Sequence, residues 1–407
     1  MRPTSSISPR TRPTFAEAFD PKNNAFGFLR LFLAVLVVFS HSFPVGGFGI
    51  DALEALTKGR HTIGLVAVGM FFVLSGFLIT RSAASGVSVA RFLWHRFLRI
   101  FPGYWVCLVV CGFVFAPYFA YVEYGSFLRI FSAPSTSPQA YILHNGALFH
   151  SNGFTLLGVL NVSPQSIAGL LSRNPFPYQI NGSLWTLPFE VACYLGVAAL
   201  ALCGIIRRAR LCVAGMFGVL LFLHAYSYFW PRSFSQTFAC PGLSIFLPLG
   251  LCFSVGSVCF LYREKIPSSF WAFAACVGAL VASLPLGWFG VAAPIFLSYA
   301  FLWLAFNLPF SSFDAKGDYS YGTYIYAFPV QQTLALSGVQ EDGWIAYFAW
   351  SLVIIGALAY LSYRLVEAPC LRWKNLNARE LFARGISRSS PPSIVEAAAV
   401  ISVPAKL

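Results

Sequence analysis

Charge is what this chain has least of. Asp, Glu, Lys and Arg make up 10% of its 407 residues, against roughly 25% in a soluble domain. Acids are the rarer half, 14 against 27 Lys and Arg, for a net charge of +13. There is no CxxC pair and no Cys/His spacing of a metal site. Most of the ten cysteines lie in or beside apolar runs, where cysteine behaves as a small hydrophobe. Neither a structural disulfide nor a metal is expected. The polar, proline-rich stretch before Ala25 lacks the apolar core of a signal peptide, so no cleaved leader is expected. Internal repeats, direct or inverted, are absent. These gaps argue against a soluble enzyme, a metalloprotein and a disulfide-stapled secreted domain.

What fills the chain is hydrophobic: 57% of the residues, with a mean hydropathy of +0.70. Ten apolar segments recur, at about 26–43, 63–81, 98–119, 184–205, 210–230, 241–262, 268–287, 289–309, 319–337 and 343–365. Lipid leaves no water to satisfy the backbone, so segments of this kind cross as helices. The expected fold is an all-α, polytopic membrane helix bundle. Arg91, Arg96 and Arg99, the Arg207–Arg210 cluster, Arg263 with Lys265, and the basic tail then fall on one side. The positive-inside rule makes that side, and both termini, cytoplasmic. The excess base is thereby assigned to the membrane surface rather than to nucleic acid. Expected boundaries are a disordered cytoplasmic tail over 1–25, a membrane domain over 26–370 and a basic cytoplasmic tail over 371–407. Residues 120–183 form an unusually long connection. Its apolar run 140–160, with His144 and His150, is read as re-entrant or interfacial.

Several polar residues sit where they are costly. The first helix, FGFLRLFLAVLVVFSHSF, carries Arg30 and His41. Eleven steps make almost three turns, so both share a face about 16 Å apart along the axis. An intramembrane ionisable residue is a functional hypothesis; an interfacial anchor and a packed histidine would also fit. Ser75-Gly76 interrupts a bulky helix, as a packing contact or a site element. Arg96 and Arg99, three apart, share a face. They fit phosphate binding through guanidinium forks or positive-inside anchoring. In NGSLWTLPFE, Glu190 lies inside an apolar helix and Trp185 at its start, as an interfacial aromatic or a platform for a sugar. DYSYGTYIYAFPV holds four tyrosines, Tyr321 among them, too many for one helix face to bury without polar partners. Arg364 and Glu367, three apart, fit an ion pair.

Taken in order, the Arg30–His41 pair, VGMFFVLSGFLIT, RFLRIFPGYW, NGSLWTLPFE, DYSYGTYIYAFPV and YRLVEAPC resemble the acyltransferase-3 family of integral membrane proteins. The resemblance covers roughly residues 26–370. It implies transfer of an acyl group, usually acetyl from acetyl-CoA, to a hydroxyl of a sugar such as an exopolysaccharide, an O-antigen or a lipid-linked oligosaccharide. It implies a place in the bacterial inner membrane. Acyl-CoA and a carbohydrate or glycolipid acceptor are then substrates, with no resident cofactor. His41 and Glu190 become catalytic candidates, with His41 as general base. Arg30, Arg96 and Arg99 become donor-binding candidates. Trp185, Ser75 and Tyr321 become substrate-binding candidates. Ala327 departs from the pattern, for the family often has histidine there, and no role of that histidine carries over. A multi-pass transporter or flippase of a glycolipid, and a non-catalytic relative of the acyltransferases, are the competing readings.

Overall fold

The computed structural model describes residues 13–132, 137–148, 173, 175–176, 179–208, 210–238 and 241–375. Ten apolar helices stand out among them: α1 Phe26–Gly46, α2 Ile63–Ala84, α3 Val89–Val110, α4 Leu187–Leu202, α5 Arg210–Phe229, α6 Pro241–Leu261, α7 Phe270–Ser283, α8 Phe289–Asn307, α9 Ser320–Leu336 and α10 Trp344–Ser362. Eight are long and apolar enough to cross a bilayer. The protein is a multi-pass, all-α membrane protein. Two segments expected as spans are shorter helices, α7 with 14 residues and α9 with 17.

α9 is short because it is interior. From Ser320 to Leu334 nearly every residue is buried, between α1 and α10. Its amide donors find partners there: Gln331 Nε2 donates to the Val38 carbonyl at 2.8 Å and Gln332 Nε2 to that of Gln179 at 2.6 Å. Without such partners each buried amide would cost several kcal/mol, on the order of a lost hydrogen bond or more.

Small residues set the tightest crossing. A Cβ on Gly76 of α2 would lie 1.9 Å from the Phe253 carbonyl oxygen of α6, and one on Gly256 would lie 2.1 Å from that of Val73. The helices touch backbone to backbone, as small-residue motifs in membranes permit. One turn on, Thr80 and Ser257 hydroxyls join at 2.9 Å. Asp51 ties the start of α2 to α1. Its buried carboxylate accepts from Ser40 at 2.6 Å and from the Ile63 N–H at 2.9 Å.

Two helices run on through wide π-turns, α3 at Cys111–Phe115 and α10 at Tyr363–Glu367. The second re-aims the segment that follows α10. Glu367 therefore faces Arg99 of α3, at 3.8 Å. Arg364 lies instead over the Tyr360 ring, 5.5 Å from its centroid. The expected Arg364–Glu367 ion pair is thus replaced, because three residues through a π-turn no longer share a face.

The expected tail over 1–25 also differs. Residues 13–25 are folded: Thr14 caps Phe15–Ala18 in a capping box, and Phe15 is fully buried, stacked on Tyr299. Phe19 packs on Phe77 and Phe306 beside it, so two aromatics anchor an otherwise polar stretch. Within the run 140–160, helix Pro138–Asn145 packs on α3, where Tyr104 and Trp105 donate to the Asn145 and Gly146 carbonyls at 2.6 and 2.9 Å. His144 bonds the Ala140 carbonyl within that helix. His150 and the rest of the run lie outside the described residues.

Candidate active site

The one-face spacing on α1 leads to two cavities. Arg30 lines one of about 360 Å³, and His41 lines another of about 340 Å³. The eight candidate residues divide between them. Arg30, Ser75, Arg96, Arg99, Glu190 and Tyr321 share the first; His41 and Trp185 share the second.

The boundary is consistent across three elements. On α9, Tyr321 and Tyr324 face the first cavity and Phe328 the second. On the turn Gly182–Thr186 that precedes α4, Thr186 faces the first and Trp185 the second. The Thr186 and Tyr324 hydroxyls join at 2.7 Å, a bond between the two elements where their residues turn from the first cavity to the second.

The first cavity is ionic. Arg30 Nε stands 3.1 Å and Arg99 Nη2 2.6 Å from the same oxygen of Asp318. Burial opposes the charge of Asp318, but the Arg30 and Arg99 guanidiniums hold its carboxyl well below the usual carboxylate range. The Ser320 hydroxyl donates to its other oxygen. Arg96, one turn from Arg99, lies beside the Phe92 and Tyr194 rings, each centroid 5.9 Å away. Opposite, Glu190 Oε1 accepts from Ser75 at 3.2 Å and from Tyr194 in a short bond. Glu190 is thus held by α2 and its own helix and lies in a different cavity from His41. Tyr321 donates to the Ile100 carbonyl at 2.8 Å, its ring lodged where Gly103 has no side chain.

The second cavity is more apolar. The His41 ring meets Phe328 edge-on at 5.6 Å. Its Nδ1 is buried and has no hydrogen-bond partner among the described residues. Trp185, Phe176 and Gln179 also line it.

Sequence reasoning missed Asp318, Glu367 as partner of Arg99, and Lys374, which also lines the first cavity. Asp318 opens the DYSYGTY stretch, and the signal was its position beside buried tyrosines.

A family profile described as an acyltransferase domain matches residues 23–364, nearly the whole described bundle. The chain belongs to the acyltransferase-3 family. Among relatives of this acyltransferase-3 protein, an O-acetyl transferase of Shigella phage Sf6 is 28% identical over 354 residues, 85% of this chain and 95% of that one. Nodulation protein 10 of Rhizobium leguminosarum bv. viciae is 28% identical over 389 residues, 88% and 96% of the two chains. Acyltransferase MdmB of Streptomyces mycarofaciens is 33% identical over 86 residues, 21% of this chain and 22% of that one. No solved structure matches. Ala327 is fully buried on α9.

Proposed function

We propose that this protein is an inner-membrane O-acyltransferase that moves an acyl group, acetyl in the simplest case, from acyl-CoA to a carbohydrate hydroxyl. The observation that carries the reading is the pair of cavities on one face of α1. A basic one at Arg30 suits the donor, and one lined by His41 and Trp185 suits the acceptor. Both termini and the basic cavity are assigned to the cytoplasm, where acyl-CoA is found.

The residues divide the work. Guanidinium N–H groups of Arg30, Arg96 and Arg99 bind phosphate oxygens of the donor, and Asp318 holds two of these side chains in place. The roughly 16 Å from Arg30 to His41 is comparable to the reach of a pantetheine arm. The thioester then meets the acceptor at the Thr186–Tyr324 boundary, which opens to pass it. His41 takes the proton of the acceptor hydroxyl as its oxygen bonds to the thioester carbonyl carbon. The carbon–sulfur bond breaks, and the thiolate leaves and takes up a proton as free CoA. Trp185 stacks on the sugar ring. Glu190, with Ser75, lines the path of the arm.

Release of free thiol from acetyl-CoA or succinyl-CoA by membranes containing the protein, dependent on added glycolipid, tests the reading. Glycolipid crossing the bilayer with no thiol released would instead establish the flippase.

A further inference from the structure

We infer that Lys374, together with Arg96, forms a phosphate-binding subsite at the mouth of the basic cavity and selects donors that carry a nucleotide. The inference rests on the donor reading above and adds a residue to it.

The charges in the cavity are unequally compensated. Arg30 and Arg99 share Asp318 at 3.1 and 2.6 Å, and Arg99 also reaches Glu367 at 3.8 Å. Arg96 and Lys374 line the same cavity and form no ion pair among the described residues. The Arg96 Nε is buried and has no hydrogen-bond partner there. Glu190 shares the cavity but its Oε1 accepts from Ser75 and Tyr194; a partly desolvated cation without an ion-pair partner is costly, and an anionic ligand removes the cost.

The segment after α10 is fixed in place to supply the second cation. After the π-turn, Ala368–Leu371 and the turn Arg372–Asn375 pack against α3. Trp94 Nε1 donates to the Trp373 carbonyl at 3.2 Å, and the His95 ring meets the Lys374 carbonyl at 3.1 Å. These bonds hold the Lys374 backbone against the helical turn that carries Arg96. An ammonium serves phosphate as a point charge and a guanidinium as a fork. The pair therefore matches adjacent phosphates, such as the diphosphate of a nucleotide-bearing thioester. An anionic lipid headgroup offers the same chemistry from a second source.

The test uses the full chain in nanodiscs and compares acetyl-CoA with acetyl-pantetheine, which lacks the nucleotide. The expected result is that Lys374→Ala reduces the preference for acetyl-CoA about tenfold, through KM rather than kcat, the scale of one charge-assisted contact. Lys374→Glu reduces it further, and Lys374→Arg retains most of it. A folded Lys374→Ala protein with the wild-type preference overturns the inference. So does a variant that loses only its stabilisation by anionic phospholipid, which would assign the lysine to the membrane surface. If the wild type consumes neither donor, the transferase reading fails and the subsite is judged by CoA binding alone. Binding weakened in Lys374→Ala supports the subsite, and equal binding overturns it.

Discussion

Gly76→Ala is expected to break the closest helix crossing among the described residues. Its new Cβ would stand 1.9 Å from the Phe253 carbonyl oxygen, and Cβ contacts under 3.0 Å are essentially never seen. The obstacle is backbone, so no rotamer change relieves it, and α2 and α6 must part by about 1 Å. Overpacking of this kind costs about 1–3 kcal/mol. Parting the helices also strains the Thr80–Ser257 bond. The effect should reach the site, since the neighbouring Ser75 holds Glu190. Gly196→Ala on α4 is the control, because a Cβ there meets nothing within 4 Å. Thermal unfolding in detergent, read by loss of the monodisperse peak, should show Gly76→Ala clearly destabilised and Gly196→Ala close to wild type. Equal stability of all three proteins would refute the backbone-to-backbone crossing.

Asp318→Asn leaves Arg30 and Arg99 without their shared anion. The three side chains are 18–25% exposed, so solvent screening keeps the loss below the several kcal/mol of a fully buried pair, at about 1–3 kcal/mol. Because the folded-state carboxyl is held below its ordinary range, this stability is present above the unfolded pKa of about 3.9 and is lost as pH falls toward the folded value. The gap between wild type and Asp318→Asn in thermal unfolding should be constant from about pH 5 to 7 and shrink below about pH 4; a gap that vanishes between pH 5 and 7 would contradict the ion cluster. Arg30→Ala should raise the KM for acetyl-CoA about tenfold and lower the rate as well, and an unchanged KM would remove Arg30 from donor binding.

Much of the bundle was legible because apolar length is a coarse signal that survives without tertiary detail. α1 is the clearest case: Arg30 and His41 were placed on one face by spacing alone, and the structure gives each a cavity. α9 was harder. Gln331 and Gln332 break its apolar run, yet they are what tie an interior helix to its neighbours. Asp318 and Glu367 were misread or missed for one reason. A carboxylate's partner is set by how distant helices meet and by local turns such as the π-turn Tyr363–Glu367, and neither is written in sequence spacing. Phe15 and Phe19 show the same limit at the other end, where two aromatics convert a polar tail into a packed segment. The division of the candidates into two cavities was likewise invisible, since it depends on the Thr186–Tyr324 contact between segments 138 residues apart.

The most direct test of the proposed chemistry is label transfer from radiolabelled acetyl-CoA in inside-out membrane vesicles supplied with glycolipid, comparing wild type with His41→Ala. The account predicts label in the glycan fraction with wild type. With a His41→Ala protein that folds and still binds CoA, it predicts a loss of at least about a hundredfold, the scale of a general base. Turnover retained in that variant would contradict the assignment of His41 as the base and, with it, the division of the site into a donor cavity and an acceptor cavity.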